Sequence, residues 1–169
     1  ELKKVHLLEE VQGEVLEAIK DEEHSSDISM LMNYDEDSAG GIMDVDFVSA
    51  DWNWTVKNAL KKLREQVENV DQVYTIYVVD SCNKFKGILS LKRFLYTSDE
   101  TLIKDIYKKD SISVLANEDS ESVALKMEKY DLVVVPVVDE NNNLLGRITI
   151  DDAVDVIKEE AEKDYQMAS

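Results

Sequence analysis

Apolar residues in this chain fall into short runs that alternate with three- and four-residue helical spacings, and the same succession occurs twice. In the first succession Phe47-Val48 reads as a short strand. Thr55 then opens a helix with Val56, Ala59, Leu60, Leu63 and Val67 on one face. Thr75 to Asp80 and Lys86 to Ser90 are β-rich strands around a polar turn at 81–84, and Leu91 to Tyr96 begins a closing helix. In the second succession Ile112 to Leu115 is the short strand, and Asp119 or Ser120 caps a helix bearing Val123, Ala124, Met127 and Tyr130. Val133 to Val138 and Leu144 to Thr149 are the strands, turning at 140–143. The strand pairs are in strict register: 139 − 80, 146 − 87 and 149 − 90 all equal 59. Copy one has six more residues between its helix and strand, since Ala59 to Tyr77 is 18 and Ala124 to Pro136 is 12. Two copies of one β-α-β-β-α unit predict an α/β (α+β) fold made of a tandem pair. Gly87 and Gly146 interrupt strands, which predicts a backbone passing close to each.

The flanks differ from the repeats. Leu7, Leu8, Val11, Val15 and Ile19, and later Ile28, Leu31 and Met32, keep helical spacing on either side of a polar turn at 21–26. Two short helices close no core alone. This segment therefore packs on the repeats or ends a domain that begins upstream. Asp35 to Gly41 reads as a linker. The expected organisation is residues 1–41 as helices plus linker, 42–98 and 99–154 as the two repeats, and 155–169 as the start of a further helix.

Composition narrows the function classes. The 169 residues are 44% hydrophobic with one Pro and five Gly, enough to bury a core, and no apolar run approaches a membrane span. The start has no signal-peptide layout, and Cys82 is the only cysteine, so no internal disulfide is possible. Thirty-seven acids stand against nineteen bases, a net charge of −18. Such a surface repels nucleic acid and anionic lipid and attracts cations or basic partners. His6, His24 and Cys82 lie far apart in sequence, which argues against zinc. There is no P-loop, no Gly-x-Gly-x-x-Gly and no nucleophile beside a base, so no catalytic residues are assigned. Trp52 and Trp54 are expected at the core edge or a dimer surface, Met30, Met32 and Met43 in packing roles, and Tyr130 buried with its hydroxyl bonded.

The repeat, with Val-Val-Asp, then Gly, then Ser or Thr, resembles the CBS domain, and two copies resemble a tandem CBS pair over residues 42–155. Asn33 to Met43, reading Tyr-x-x-x-Ser-Ala-Gly-x-Ile-Met from Tyr34, is similar to the approach to the CBS pair in the MgtE family of magnesium transporters. Lys129-Tyr130-Asp131, Pro136 to Glu140 and Thr149 to Ala153 resemble that family's second repeat, and Glu159 to Asp164 its connecting helix. The resemblance implies a cytoplasmic, Mg2+-sensing regulatory region of a homodimeric transporter, on the cytoplasmic face of the membrane. In it residues 1–32 end an acidic N domain and the transmembrane domain follows residue 169. The dimer is expected as four repeats in a flat disc, packed through the helices starting near Thr55 and Ser120, because each repeat leaves an apolar helix face uncovered.

The residues themselves suggest where ions bind. Seven acids lie between Asp151 and Asp164. On a helix, Asp152, Asp155, Glu159 and Glu162 share one stripe, while Val154, Ile157, Ala161 and Tyr165 share the opposite one, which is expected to pack. Thr149-x-x-Asp152 fits a capping box. Mg2+ suits such a surface, because it prefers oxygen and keeps several waters, so one or two carboxylates per ion suffice. Two carboxylates about 5 Å apart repel by roughly 3 kcal/mol at an effective dielectric near 20, so acids facing one another hold an interface open until cations neutralise them. The metal candidates are Asp152 with Asp155, Glu160 with Asp164, and the more distant Asp131 with Glu121; the resemblance implies acids at these motif positions and adds the Gly41 carbonyl. The alternative ligand is an adenine nucleotide, ATP or AMP, in the cleft between repeats. CBS pairs that bind one use a Ser or Thr and the Asp three residues later. Copy two keeps Thr149 and Asp152; copy one has Ser90 but Arg93 in place of the acid.

Overall fold

A computed structural model describes residues 34–168. The helices expected within residues 1–32, with His6, His24, Met30 and Met32, lie outside the described residues. The described chain begins with a short helix α1 (Ala39–Ile42). Repeat one follows as β1 (Ser49–Asp51), α2 (Val56–Val67), β2 (Ile76–Val79), β3 (Phe85–Leu89) and α3 (Leu91–Tyr96). A 3-10 turn, Ile103–Asp105, leads to repeat two: β4 (Val114–Leu115), α4 (Ser120–Lys129), β5 (Val134–Val138) and β6 (Leu144–Thr149). The last helix, α5 (Ile150–Ala168), grows from β6 without a loop. The tandem arrangement read from the sequence is present, with the first strand of copy one falling at 49–51 rather than 47–48.

Each repeat forms a three-stranded sheet, β1-β2-β3 and β4-β5-β6, parallel then antiparallel. The register breaks between Val78 and Val79, and between Val137 and Val138, so even the irregularity recurs at the 59-residue offset. The caps are those expected: Thr55 accepts from the Asn58 N–H and Asp119 from the Ser122 N–H. One helical face is buried in each case, Val56, Ala59 and Leu63 on α2 and Val123, Ala124 and Met127 on α4. Val67 and Tyr130, expected on those faces, are exposed. Tyr130 follows the last turn of α4, where the chain leaves the helical phase, so its ring points to solvent instead of the core.

The segment that precedes each repeat packs on the other one. Residues 35–41, expected as a linker, are instead docked on repeat two: Ala39 N–H donates to the Glu118 carbonyl, Gly40 N–H to Ala116, and Ser120 N–H to Asp37. Ala39 and Met43 belong to the core of repeat two. Conversely Val56 N–H donates to the Thr101 carbonyl, and Ile103 and Ile106 complete the core of repeat one. The free edge of each sheet is covered the same way, β6 pairing with Asp44 and β3 with Lys108. This explains both strand glycines. A Cβ on Gly87 would lie 2.1 Å from the Lys108 carbonyl oxygen, and one on Gly146 2.7 Å from that of Asp44.

A third core joins the sheets through Tyr77, Phe85, Val138 and Leu144, with Phe47 stacking edge-on against Tyr77 at 5.8 Å. Above it the two hairpin turns exchange reciprocal bonds. Asn83 Nδ2 donates to the Leu144 carbonyl and Asn142 Nδ2 to that of Phe85; Phe85 N–H donates to Asn142 and Leu144 N–H to Asn83. Both asparagines hold left-handed backbones, φ 63° and 65°, which Asn tolerates better than most side chains. Asn83→Ala or Asn142→Ala is expected to cost about 1–2 kcal/mol each from the lost bond and the strained φ. Glycine at either position should cost less than alanine, measured by urea denaturation. Equal losses for alanine and glycine would show that backbone strain contributes nothing.

Candidate functional site

Thr149 ends β6 and caps α5. Its N–H and its Oγ1 both donate to Asp152 Oδ2, at 3.1 and 2.9 Å, and the Asp152 N–H reaches back to Oγ1 at 3.4 Å. The acid sits at the positive end of the helix, where its charge is favoured. This box sets the rotational phase of α5, and that phase corrects the expected packing. Ala153 and Val156 are the buried residues, while Val154, Ile157 and Tyr165 are exposed. The helix carries two apolar stripes, and α4, lying alongside, takes the first. Asp152 and Glu160 are half-buried at its margin; Asp155, Glu159, Glu162 and Asp164 are exposed.

The other metal candidates lie around α4. Glu121 lies in its first turn, and Asp131 follows its other end with φ 52°. Gly41 is buried in α1, which packs against the start of α4 near Glu121. Glu160 has Lys163 Nζ at 3.7 Å. Among the described residues no three His, Cys, Asp or Glu side chains converge to hold a metal ion. The acids of α5 stand along one helix, and the described residues form no closed cage for a metal ion.

The nucleotide candidates fall into two halves related by the repeat, one where β3 ends and one where β6 ends. At one half Ser90 accepts from the Arg93 N–H at 3.1 Å and caps α3, with Lys92, Arg93 and Lys108 exposed nearby in sequence or pairing. At the other half stand Thr149 and Asp152. Sequence reasoning passed over three residues of this second half. Arg147 is buried at 3% exposure, with Asp44 Oδ2 3.6 Å from its Nη2. The Tyr77 hydroxyl is buried without a partner, and burial pushes it well above the ordinary tyrosine range despite the nearby Arg147 charge. The signal was available, since the offset sets Arg147 opposite Ile88 (147 − 59 = 88).

Trp52 and Trp54 are partly buried against the core of repeat one, as expected for the core edge, and Lys86 Nζ lies 4.5 Å from the Trp52 ring centroid. The aspartates of the two Val-Val-Asp motifs organise the hairpin turns. Asp80 Oδ1 accepts from the N–H groups of Cys82 and Lys84; Asp139 Oδ1 accepts from those of Asn141 and Asn143. These aspartates therefore have a structural role.

Comparison with known proteins identifies the arrangement. The CBS domain family matches residues 103–159. A magnesium transporter MgtE of Enterococcus faecalis is 41% identical over 143 residues, 85% of this chain and 32% of that protein. Over the matched region the chain is strongly homologous to MgtE magnesium transporters. It spans about a third of the length of the curated MgtE proteins it matches. A crystal structure of the soluble part of a magnesium transporter superposes with a TM-score of 0.78 at 39% identity, covering 86% of this chain and 57% of that one. The cytosolic domain of the Mg2+ channel MgtE in complex with ATP superposes at 0.74 with 36% identity, covering 80% and 55%. The fold is accordingly a CBS pair followed by a C-terminal helix. These relatives are transporter regions, not enzymes. Among the described residues no helix is long and apolar enough to cross a membrane.

The turn aspartates make a pH prediction. The Lys84 N–H leads in holding Asp80 below its ordinary value of 3.8, helped by Cys82 and Lys86. At Asp139 burial pushes up, but bonds from Asn143 and Asn141 and the Lys84 charge outweigh it, so the net direction is down. A carboxylate with a lowered folded pKa stabilises above the unfolded value and loses that contribution as pH falls through the folded one. Stability is therefore expected to drop below about pH 4, starting from the ordinary aspartate range. Asp80→Asn with Asp139→Asn should flatten that drop in denaturant titrations from pH 6 to 2. An unchanged acid slope would assign the loss to other carboxylates.

Proposed function

We propose that this chain is the cytosolic Mg2+-sensing regulatory region of an MgtE magnesium transporter, in which bound Mg2+ closes acidic interfaces and so gates ion flux. The observation that carries this reading is α5. It is rigidly capped onto repeat two, and it turns an exposed acidic row and an uncovered apolar stripe outward together. A helix of that kind is stable alone only with its apolar stripe wet. A second copy of the chain covers that stripe and brings acids face to face, and Mg2+ relieves their repulsion. On this reading residues 42–98 and 99–154 are the two repeats in chain order, 155–169 start the connecting helix to a membrane domain, and 1–41 end an upstream helical domain. The working unit is a homodimer at the cytoplasmic face of the membrane, with no nucleic acid and no direct lipid contact. Asp152 with Asp155 and Glu160 with Asp164 are the leading ligand pairs. Asp131, Glu121 and the Gly41 carbonyl are further ligands, supplied where chains or domains meet.

A second ligand has support from the ATP complex of the 36%-identical channel domain. Adenine nucleotide at the Ser90 half of the cleft would meet Ser90 on its sugar and Arg93 on phosphate, the arginine substituting for the acid of other CBS pairs.

Millimolar Mg2+ is expected to raise the melting temperature more than NaCl of equal ionic strength, because ligation stabilises beyond screening. The variant Asp152→Asn with Asp155→Asn keeps the cap and removes two charges. It should show fewer or weaker Mg2+ sites by calorimetry and less expansion in EDTA by small-angle scattering; unchanged binding and dimensions would remove both residues from the mechanism. Sedimentation at tens of micromolar with Mg2+ should give a dimer, and a monomer there would count against the shared interface.

A further inference from the structure

Arg147 is a fully charged side chain placed where the repeat calls for an apolar one. Its ladder partner across β5–β6 is Pro136; at the same register in repeat one, Ile88 pairs with Tyr77. The two departures from pseudo-symmetry, Arg147 for Ile88 and Tyr77 for Pro136, both point into the space between the sheets. There Arg147 Nη1 donates to the Gln72 carbonyl at 2.6 Å, Nη2 lies 3.6 Å from Asp44 Oδ2, and Cζ lies 5.8 Å from the Tyr74 ring centroid. Gln72 and Tyr74 lead into β2 of repeat one, so the guanidinium bridges the repeats. Along β6 alternate residues share a face, so Arg147 and Thr149 look into the same half of the cleft. Arg147 Nε and the Tyr77 hydroxyl remain buried without an acceptor in the protein.

A guanidinium is flat, donates N–H bonds in its plane and offers its face to an aromatic ring. One bond to a main-chain carbonyl and one aromatic neighbour are what a planar nitrogen base with an exocyclic amine, such as adenine, would make in the same place. We propose that Arg147 is an internal ligand: its guanidinium occupies the Thr149 half of the inter-repeat cleft and closes it to external planar bases. The Ser90 half, with Ile88 at the matching position, carries no such plug. A module of this kind takes one nucleotide per chain. That last step rests on the nucleotide reading of the Ser90 half; the occupancy by Arg147 does not.

Arg147→Ala removes the plug and leaves its contacts behind. In the whole chain this variant is expected to melt roughly 5 °C or more below wild type. Low-millimolar ethylguanidinium, far below denaturing concentration, should restore at least half of that loss. Wild type and Arg147→Ile, which carries the residue of repeat one, should not respond. If the alanine variant does not fold alone, it is refolded with and without ethylguanidinium, and recovery only with it supports the internal ligand. No rescue in either format, or the same rise in wild type, overturns it. Equilibrium dialysis of the wild type with ATP separates the two readings. One ATP per chain fits both, and two per chain overturns the closed half. No ATP bound removes the nucleotide reading and leaves rescue to decide Arg147.

Discussion

The unpaired edge of each small sheet is the constraint on which the rest of this fold depends. β3 and β6 end their sheets with open backbone groups, and each is met by a bridge from the segment that leads into the other repeat, Lys108 to Ile88 and Asp44 to Arg147. Buried backbone donors and acceptors left unpaired are costly, so neither repeat is complete alone. The close approach also requires the two strand glycines, since a side chain at either would collide with the incoming carbonyl. The exchange of Asn83 and Asn142 bonds at the hairpin turns secures the same pairing from the opposite side.

This crossing of segments has a mechanical consequence. The chain that arrives at residues 34–44 and the helix that leaves at Ile150 are both anchored on repeat two, one by Asp37, Ala39 and Gly40, the other by the Thr149–Asp152 cap. Arg147 lies between them on β6 and is paired with Asp44 through both backbone and side chain. A displacement of the incoming segment therefore acts on the strand that carries α5.

Charge has the same asymmetry. The net −18 is concentrated away from the stretch 84–109, which has seven bases and three acids. The Ser90 half of the cleft lies on that stretch, with Arg93 and Lys108 exposed. The Thr149 half pairs its one arginine internally. One repeat unit, duplicated, thus carries exposed bases beside Ser90 and an internally paired arginine beside Thr149, while the acids gather on the final helix.

The tandem repeat, its strands and caps, and the homology to MgtE transporters were legible in the residues, because local periodicity and capping chemistry are written in near neighbours. The 59-residue offset predicted even the matching of Gly87 with Gly146. The capping box at Thr149 and Asp152 was readable for the same reason. What the sequence could not rank were choices between equivalent local options. Helix α5 carries two apolar stripes of similar quality, and only its fusion to β6 and its neighbour α4 select Ala153 and Val156 over Val154 and Ile157. Residues 35–41 look like a polar linker, yet long-range bonds to Ala116 and Glu118 bury their glycines. Arg147 is enclosed only because distant segments supply Gln72, Tyr74 and Asp44 around it. Short-range pattern determined the elements; contacts between residues far apart in the chain decided which faces are covered and which charges are enclosed.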